Sequence, residues 1–265
     1  MKKMAVCVGI NDYPGYINDL RGCVRDAKAW SAILQSKYDF DPPTVLLEFQ
    51  ATIQNVTTAV TKMINSATPD SHLVWTYSGH GTSIENKRPD KTDGRAEAIV
   101  LYDGLLLDST IRSLLEKLPR GVRMTIISDS CHSGTLSRMQ RLSRFRLQGA
   151  DYPNPRYMPP EAIKFAKSVR QIPTNGRVFR LINEQSMPEI LISGCTAIET
   201  ARDACIDGQF NGAMSYYALK ILNENPRLTY NEFYAKLRSY LPSAQYNQTP
   251  QLEGSDAAKA RIIFS

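Results

Sequence analysis

The sequence predicts an α/β protein, a mostly parallel sheet covered by helices on both faces, and three observations carry that expectation. Apolar, β-branched runs alternate along the chain with stretches of helical periodicity, the order that right-handed crossovers between parallel strands produce. Two of the runs, Leu73-Val74-Trp75-Thr76-Tyr77 and Met124-Thr125-Ile126-Ile127, stop abruptly at small and polar residues, which reads as buried strands delivering loops at one rim of a sheet. The composition, 42% hydrophobic and 22% charged over 265 residues, is that of an ordinary globular protein able to bury a sizeable core.

In chain order, Met4 to Ile10 is an apolar strand that ends at the turn residues Asn11-Asp12-Tyr13-Pro14-Gly15. A helix is expected from Leu20 to Gln35, with Val24, Ala27, Ile33 and Leu34 toward the sheet and Cys23 and Asp26 one turn apart. Thr44 to Phe49 reads as a strand and Thr52 to Ser66 as a helix, with Val56, Val60, Met63 and Ile64 at helical spacing. Ser71 to Ser78 is the next strand, and the polar stretch from 82 to 95 is expected to be loop. Ala98 to Tyr102 and Leu105 to Leu107 flank Asp103-Gly104 as a hairpin. Asp108 or Ser109 caps a helix that Pro119 stops, and Met124 to Ser128 is the fourth strand. Glu189 to Ser193 is the fifth, followed by a polar loop to Gly212. Ala213 to Asn223 and Tyr230 to Tyr240 read as helices, and Gln248 to Leu252 and Arg261 to Phe264 as terminal strand-like pieces.

The two abrupt strand ends are Ser78-Gly79-His80-Gly81 and Ser128-Asp129-Ser130-Cys131-His132-Ser133-Gly134. On neighbouring parallel strands they hold an imidazole and a thiol at one rim. An imidazole can take the proton of a thiol or stabilise the thiolate, which makes attack on a carbonyl carbon feasible. His72 starts its strand at the far rim, about 26 Å from His80 at roughly 3.3 Å per residue, and His132 follows Cys131 directly, so its side chain diverges. His80 is therefore the candidate base, then acid toward the leaving amine. The backbone N–H groups of Gly81 and Cys131 are candidate donors to a tetrahedral oxyanion. Asp129 either accepts backbone hydrogen bonds or lines a pocket for a cation; with Asp26 and Ser78 it would form a site for a guanidinium or ammonium group.

These residues resemble a known family. Tyr77-Ser78-Gly79-His80-Gly81 and Asp129-Ser130-Cys131-His132-Ser133-Gly134 are similar to the two catalytic blocks of metacaspases, caspase-like cysteine peptidases. Leu20-Arg21-Gly22-Cys23-Val24-Arg25-Asp26-Ala27, Ile192-Ser193-Gly194-Cys195, Asn211-Gly212-Ala213 and Gln248-Thr249-Pro250-Gln251-Leu252 extend the resemblance to almost the whole chain apart from 135 to 187. It implies a caspase-hemoglobinase fold, a three-layer αβα sandwich on a six-stranded, mainly parallel sheet. It also implies one peptidase domain over 1–265, with a larger part to about 137, a basic insert over about 138–185 and a smaller part over about 186–265. His80 and Cys131 take the dyad roles, and Cys23, Asp26, Ser78 and Asp129 map onto the acidic pocket (S1) that receives Arg or Lys before the cleaved bond. Protein or peptide substrates and a monomer follow from the same resemblance. Many members use activating calcium, but here Ser109 and Arg138 replace two of its carboxylates. Asp93, Glu97 and Asp108 remain as weak calcium candidates, and no cofactor is expected.

Charge and cysteine content narrow the alternatives. The net charge of +6 comes from one segment: residues 138 to 180 hold ten Arg and Lys against Asp151 and Glu161. Aromatics do not alternate with those charges, so the segment reads as an exposed loop rather than a nucleic-acid surface. Its prolines and basic residues make it a candidate for self-cleavage. Five cysteines without a C-x-x-C pair argue against disulfides and structural zinc; Cys7 and Cys195, in or just after apolar runs, are expected to be core residues. No apolar run is long enough for a leader or a membrane span, and a cytosolic protein is expected. The competing functions are a caspase-like interaction module with an idle dyad, and a transpeptidase using the same thioester.

Overall fold

In a computed structural model, residues 1–15, 19–85, 95–131, 154–163, 185, 187–196, 199 and 201–265 are described. Strands β1 (Lys3–Gly9), β2 (Thr44–Leu47), β3 (His72–Ser78), β7 (Arg123–Asp129), β9 (Glu189–Ser193) and β12 (Gln251–Glu253) form one sheet in the order β12-β9-β7-β3-β1-β2. Every neighbouring pair is parallel except β12, which runs antiparallel to β9. The expected α/β architecture on a six-stranded, mainly parallel sheet is observed.

Alternate residues of the central strands enter two separate cores, because side chains of an extended chain point to opposite faces. Val6, Val8, Leu73, Trp75, Tyr77, Met124 and Ile126 pack on one face, with Val56, Val60 and Ile64 of helix α2 (Ile53–Asn65) and Leu114 of helix α3 (Asp108–Leu115). Ala5, Cys7, Val74 and Ile127 pack on the other. There they meet Ala27, Trp30 and Leu34 of helix α1 (Cys23–Tyr38), Ala218 and Ile221 of α4 (Ala213–Glu224), and Phe233 and Leu237 of α5 (Tyr230–Tyr240). Each fully buried aliphatic side chain contributes about 1.5–3 kcal/mol, so both faces are anchored. Thr52 caps α2 by accepting from Asn55 N–H, and Thr229 with Glu232 forms a capping box on α5. A short helix α6 (Asp256–Lys259) closes the carboxyl end. No helix among the described residues is long and apolar enough to cross a membrane.

Several expectations are corrected. The polar stretch after His80 is not all loop: β4 (Gly81–Glu85) pairs antiparallel with β5 (Arg95–Leu101), which pairs with β6 (Gly104–Leu107). Thr82 and Ser83 are buried there, small enough to pack although polar; residues 86–94 lie outside the described residues. The stretch before Gly212 is not a loop either. It holds a hairpin of β10 (Arg202–Ile206) and β11 (Gln209–Gly212), turning at Asp207-Gly208 with φ of 54° and 73°. Asp-Gly with left-handed backbone at both positions is the strongest short hairpin signal, and the alternation around it was masked by Arg202 and Asp203. Arg261 to Phe264 forms no strand; Ile262 makes an isolated bridge to Thr229. Finally, the basic segment is not wholly a solvated loop. Of its ten basic residues, Arg156 is fully buried, next to the two-residue strand β8 (Asn154–Pro155), which pairs with β10. His132 and the other basic positions from 138 to 180 lie outside the described residues.

Candidate active site

The site forms at the carboxyl ends of β1, β3 and β7, where Gly9 pairs with Ser78 and Ser78 with Asp129. Helix α1 is drawn onto this rim because Gly9 has no side chain: a Cβ there would lie 2.4 Å from Cys23 O. That approach brings Cys23 and Asp26, from the first turns of α1, beside Ser78. His72 is held at the opposite rim by Ser265 O and Thr125 Oγ1, at 3.1 Å each, and burial lowers its pKa to about 4. It has no part in the site.

His80 is buried at the turn between β3 and β4. Its ring lies 4.9 Å from that of Tyr13, and its backbone N–H donates to Tyr13 Oη at 2.9 Å. Tyr77 Oη donates to His80 O at 2.7 Å, so the backbone carrying the imidazole is fixed on both sides. Cys131 follows the end of β7 and is fully buried. Its thiol donates to Glu199 O at 2.7 Å. Cys195 is buried as expected, but against Cys131 rather than in a remote core. A hydrogen bond with Cys131, together with burial, pushes the Cys195 thiol far above its ordinary range.

The backbone N–H groups of Gly81 and Cys131 converge on one acceptor, Arg156 O, at 2.9 and 3.2 Å. The Arg156 side chain fills the space lined by Asp26, Ser78 and Asp129. Nη1 donates to Ser78 Oγ at 2.6 Å and Asp129 O at 3.0 Å, and lies 3.4 Å from Asp129 Oδ2. Nη2 donates to Asp26 Oδ2 at 2.8 Å and to Asp203 Oδ1 at 3.1 Å. Ser78 Oγ in turn donates to Asp26 Oδ2 at 2.6 Å. Cys23 lies beneath, its thiol pushed well above its ordinary range chiefly by burial.

Backbone amides hold each carboxylate in place. Gly212 N–H donates to both oxygens of Asp26, at 3.1 and 2.9 Å. Ser215 N–H, in the first turn of α4, donates to Asp129 Oδ2 at 2.9 Å, an arrangement that a helix N-terminus favours for an anion. Asp129 thus does both things the sequence left open. Arg21 and Gly22 N–H donate to Asp203 at 2.8 and 3.0 Å. Asp203 is the acid that sequence reasoning missed. It sits on β10, and the signal that places it is the Asp207-Gly208 turn. Gly212 is required by crowding, since a Cβ there would lie 2.0 Å from Asp129 Oδ2 and 2.5 Å from Arg156 Nη1.

The three acids share one buried cation. Burial pushes the Asp26 carboxyl up to about 6, against the opposing pull of the Arg156 guanidinium. Four carbonyl or carboxylate groups around a guanidinium, beside two amides on the same residue's carbonyl oxygen, is a constellation for holding an arginine and polarising the bond that follows it. A family model for the metacaspase peptidase C14 domain matches residues 3–140 of this chain.

The chain belongs to the metacaspases. Metacaspase-1 of Scheffersomyces stipitis is 31% identical over 297 residues, 99% of this chain and 73% of that one. Metacaspase-1 of Mycosarcoma maydis is 29% identical over 296 residues, again 99% and 73%. The crystal structure of a Geobacter sulfurreducens protein matches with a TM-score of 0.77 and 26% identity over 100% of this chain and 99% of the other. Caspase-1 of Spodoptera frugiperda, at 11% identity, matches with a TM-score of 0.61 over 96% and 86%, a likeness of fold. This metacaspase is accordingly a caspase-like cysteine-type peptidase.

Two of the calcium candidates, Glu97 and Asp108, line a hollow whose lining does not include Asp26, Asp129 or Asp203. That hollow, of about 360 Å³, is also lined by Ser130 and Cys195. Glu189 in the same hollow is paired with Arg112 at 2.5 Å, and Asp108 Oδ1 accepts from Ser109 N–H. Asp93 lies outside the described residues. Among the described residues no three His, Cys, Asp or Glu side chains group as metal ligands, whereas calcium takes six to eight oxygens.

Proposed function

We propose that this metacaspase is an endopeptidase that cuts after arginine, and less well after lysine, through a His80/Cys131 dyad. The observation that supports the reading is the buried guanidinium of Arg156 among Asp26, Ser78, Asp129 and Asp203, with that residue's carbonyl oxygen on the amides of Gly81 and Cys131. A substrate arginine in the same position presents its carbonyl carbon to the Cys131 sulfur. The thiol proton passes to His80 as sulfur adds to that carbon. The oxygen, now negative, keeps the Gly81 and Cys131 N–H groups, and the amine leaves with the proton from His80. Water then adds to the thioester, His80 accepting its proton, and the acid product and the thiol are released.

The pocket reads arginine at its two terminal nitrogens, each with its own acceptors, while Arg156 Nε makes no hydrogen bond among the described residues. A lysine brings one nitrogen and cannot serve both ends of the pocket. Fluorogenic peptides differing in the residue before the bond test this. Arginine is expected to exceed lysine at least tenfold in kcat/KM, and aspartate to be inert; equal rates for all three would remove the reading.

Calcium independence is the second expectation. Ser109 and Arg138 stand where oxygen ligands would be needed, and one of the two is a cation. Hydrolysis of the arginine peptide is expected to persist in millimolar chelator. Loss of activity in chelator, restored by calcium, would be the contrary result.

A further inference from the structure

The geometry points to Cys131 and Cys195 as an oxidative modification site, at which a hydroperoxide links the nucleophile to its neighbour as a reversible disulfide. The inference rests on the reading of Cys131 as the nucleophile and adds to it a second reaction of the same sulfur.

Cys195 is a buried thiol that peptide hydrolysis leaves unused. Ser128 on β7 pairs in parallel with Ser193 on β9, and Gly194 N–H donates to Ser128 O at 2.9 Å, so the two chains leave the rim side by side. Neighbouring strands lie about 4.8 Å apart, inside the roughly 4.4–6.8 Å between Cα atoms that a disulfide bridges. Cys131 and Cys195 then enter one small cluster with Tyr157 and Ala201. Both thiols meet the same acceptor: Glu199 O lies 2.7 Å from Cys131 Sγ and 3.6 Å from Cys195 Sγ. Cys195 Sγ is also 3.7 Å from Ser130 O, the carbonyl directly before the nucleophile, and the two thiols share a hydrogen bond. The carbonyl that gathers them is itself fixed. The Glu199 carboxylate accepts from Thr196 N–H at 3.3 Å, Thr249 N–H at 2.7 Å and Thr249 Oγ1 at 2.8 Å. A site needed only for packing asks for volume, whereas sulfur held against sulfur is what a disulfide requires.

The dyad that turns Cys131 on a carbonyl carbon also turns it on peroxide, because the thiolate is the reactive form in both cases. With its proton on His80, the Cys131 sulfur attacks one oxygen of hydrogen peroxide and the O–O bond breaks. The other oxygen leaves as water, taking the proton from His80, and the sulfur becomes a sulfenic acid, oxidised by two electrons. A site that admits water to the thioester admits a molecule of this size. Cys195 attacks the oxidised sulfur next: the S–S bond forms as the S–O bond breaks, and the Cys195 proton departs on the hydroxyl as a second water. Because that proton has an acceptor in the same step, Cys195 does not have to ionise first, and its fixed contact with the sulfur supplies the orientation. Linked in this way, Cys131 cannot add to a carbonyl, and it is also kept from further oxidation to the sulfinic acid. A dithiol returns the two electrons and both thiols.

Full-length wild type and Cys195→Ala test this, each treated with hydrogen peroxide and then divided into samples with and without dithiothreitol. Wild type is expected to lose at least tenfold of its arginine-peptide hydrolysis on oxidation and to regain at least half of the starting rate with the dithiol. Alkylated and digested without reductant, the oxidised protein should yield one pair of peptides joined through Cys131 and Cys195. Cys195→Ala should be inactivated as well, but by passage to sulfinic and sulfonic acid at Cys131, so that the dithiol restores at least tenfold less of its starting rate than in wild type. Oxidised wild type without the 131–195 link, or with Cys131 joined to Cys7, Cys23 or Cys205 instead, overturns the proposal and leaves the arginine reading standing. Recovery of Cys195→Ala equal to that of wild type overturns it too. The digest is read on wild type, so it decides the bond even where Cys195→Ala fails to fold. Untreated wild type that hydrolyses no arginine peptide overturns the reading on which the proposal rests, and the digest then decides the disulfide by itself.

Discussion

Cys131→Ala is expected to lower kcat/KM on an arginine peptide by at least about 10⁴-fold, and His80→Ala by a comparable factor. The two act as one unit: without the thiol there is no nucleophile, and without the imidazole neither the thiol nor the leaving amine exchanges its proton. The double variant is therefore expected to lose little more than either single one. Folding survives the change at 131. Alanine removes one buried sulfur and its hydrogen bonds with Glu199 O and Cys195, a loss of about 1–2 kcal/mol, and thermal unfolding should move by only several degrees. Cys195 is not a substitute, because burial and the nearby Asp129 charge still push its thiol up once the hydrogen bond with Cys131 is gone, and a thiol that stays protonated is a poor nucleophile. Activity of Cys131→Ala within tenfold of wild type would mean that another group performs the attack. The same comparison separates a working peptidase from an interaction module with an idle dyad, since the latter turns over nothing in either form.

How far the sequence reaches can be judged from particular residues. The central strands were legible because a strand buried on both faces is apolar throughout, and β3 and β7 each break into polar residues where the rim begins. His80, Cys131, Asp26 and Ser78 follow from those strand ends and from the spacing within α1. Asp203 was not legible: it lies on β10, where its carboxylate, not an apolar side chain, faces the buried guanidinium, so a hydrophobic pattern does not mark it. Arg156 was hidden for the opposite reason. It is one of ten basic residues in a proline-containing stretch, and local composition cannot distinguish the one that is buried among carboxylates from those on a solvated loop. Nothing in a window around 156 names Asp26, 130 positions away. Both misses share one physical origin, a buried charge cluster assembled from four distant segments, and such clusters contradict the rule that charge lies outside.

Asp129→Asn is expected to reduce kcat/KM for an arginine peptide about 10²- to 10³-fold, close to 3–4 kcal/mol at 1.36 kcal/mol per tenfold. The guanidinium entering this pocket leaves water behind, and its compensation comes from fixed carboxylates within hydrogen-bonding distance. Removing one charge from a desolvated pair is costly because the partner stays buried and under-neutralised. The amide keeps the shape, and its oxygen can still accept from Ser215 N–H, so the change isolates charge from packing. Asp26→Asn should act in the same direction and carry a pH signature. The Asp26 carboxyl is pushed up to about 6 by burial, with Arg156 in place pulling it down. Protonation removes its negative charge, so arginine binding weakens as pH falls through about 6. An empty pocket lacks the guanidinium's pull, and there the acid limb lies higher still. The limb therefore belongs at higher pH in kcat/KM, which reports the free enzyme, than in kcat, which reports the occupied one. In Asp26→Asn that displacement between the two profiles is expected to vanish, leaving whatever the dyad itself contributes. An Asp26→Asn enzyme with an unchanged KM for arginine and an unchanged separation of the two limbs would show that the charge at 26 serves the fold alone.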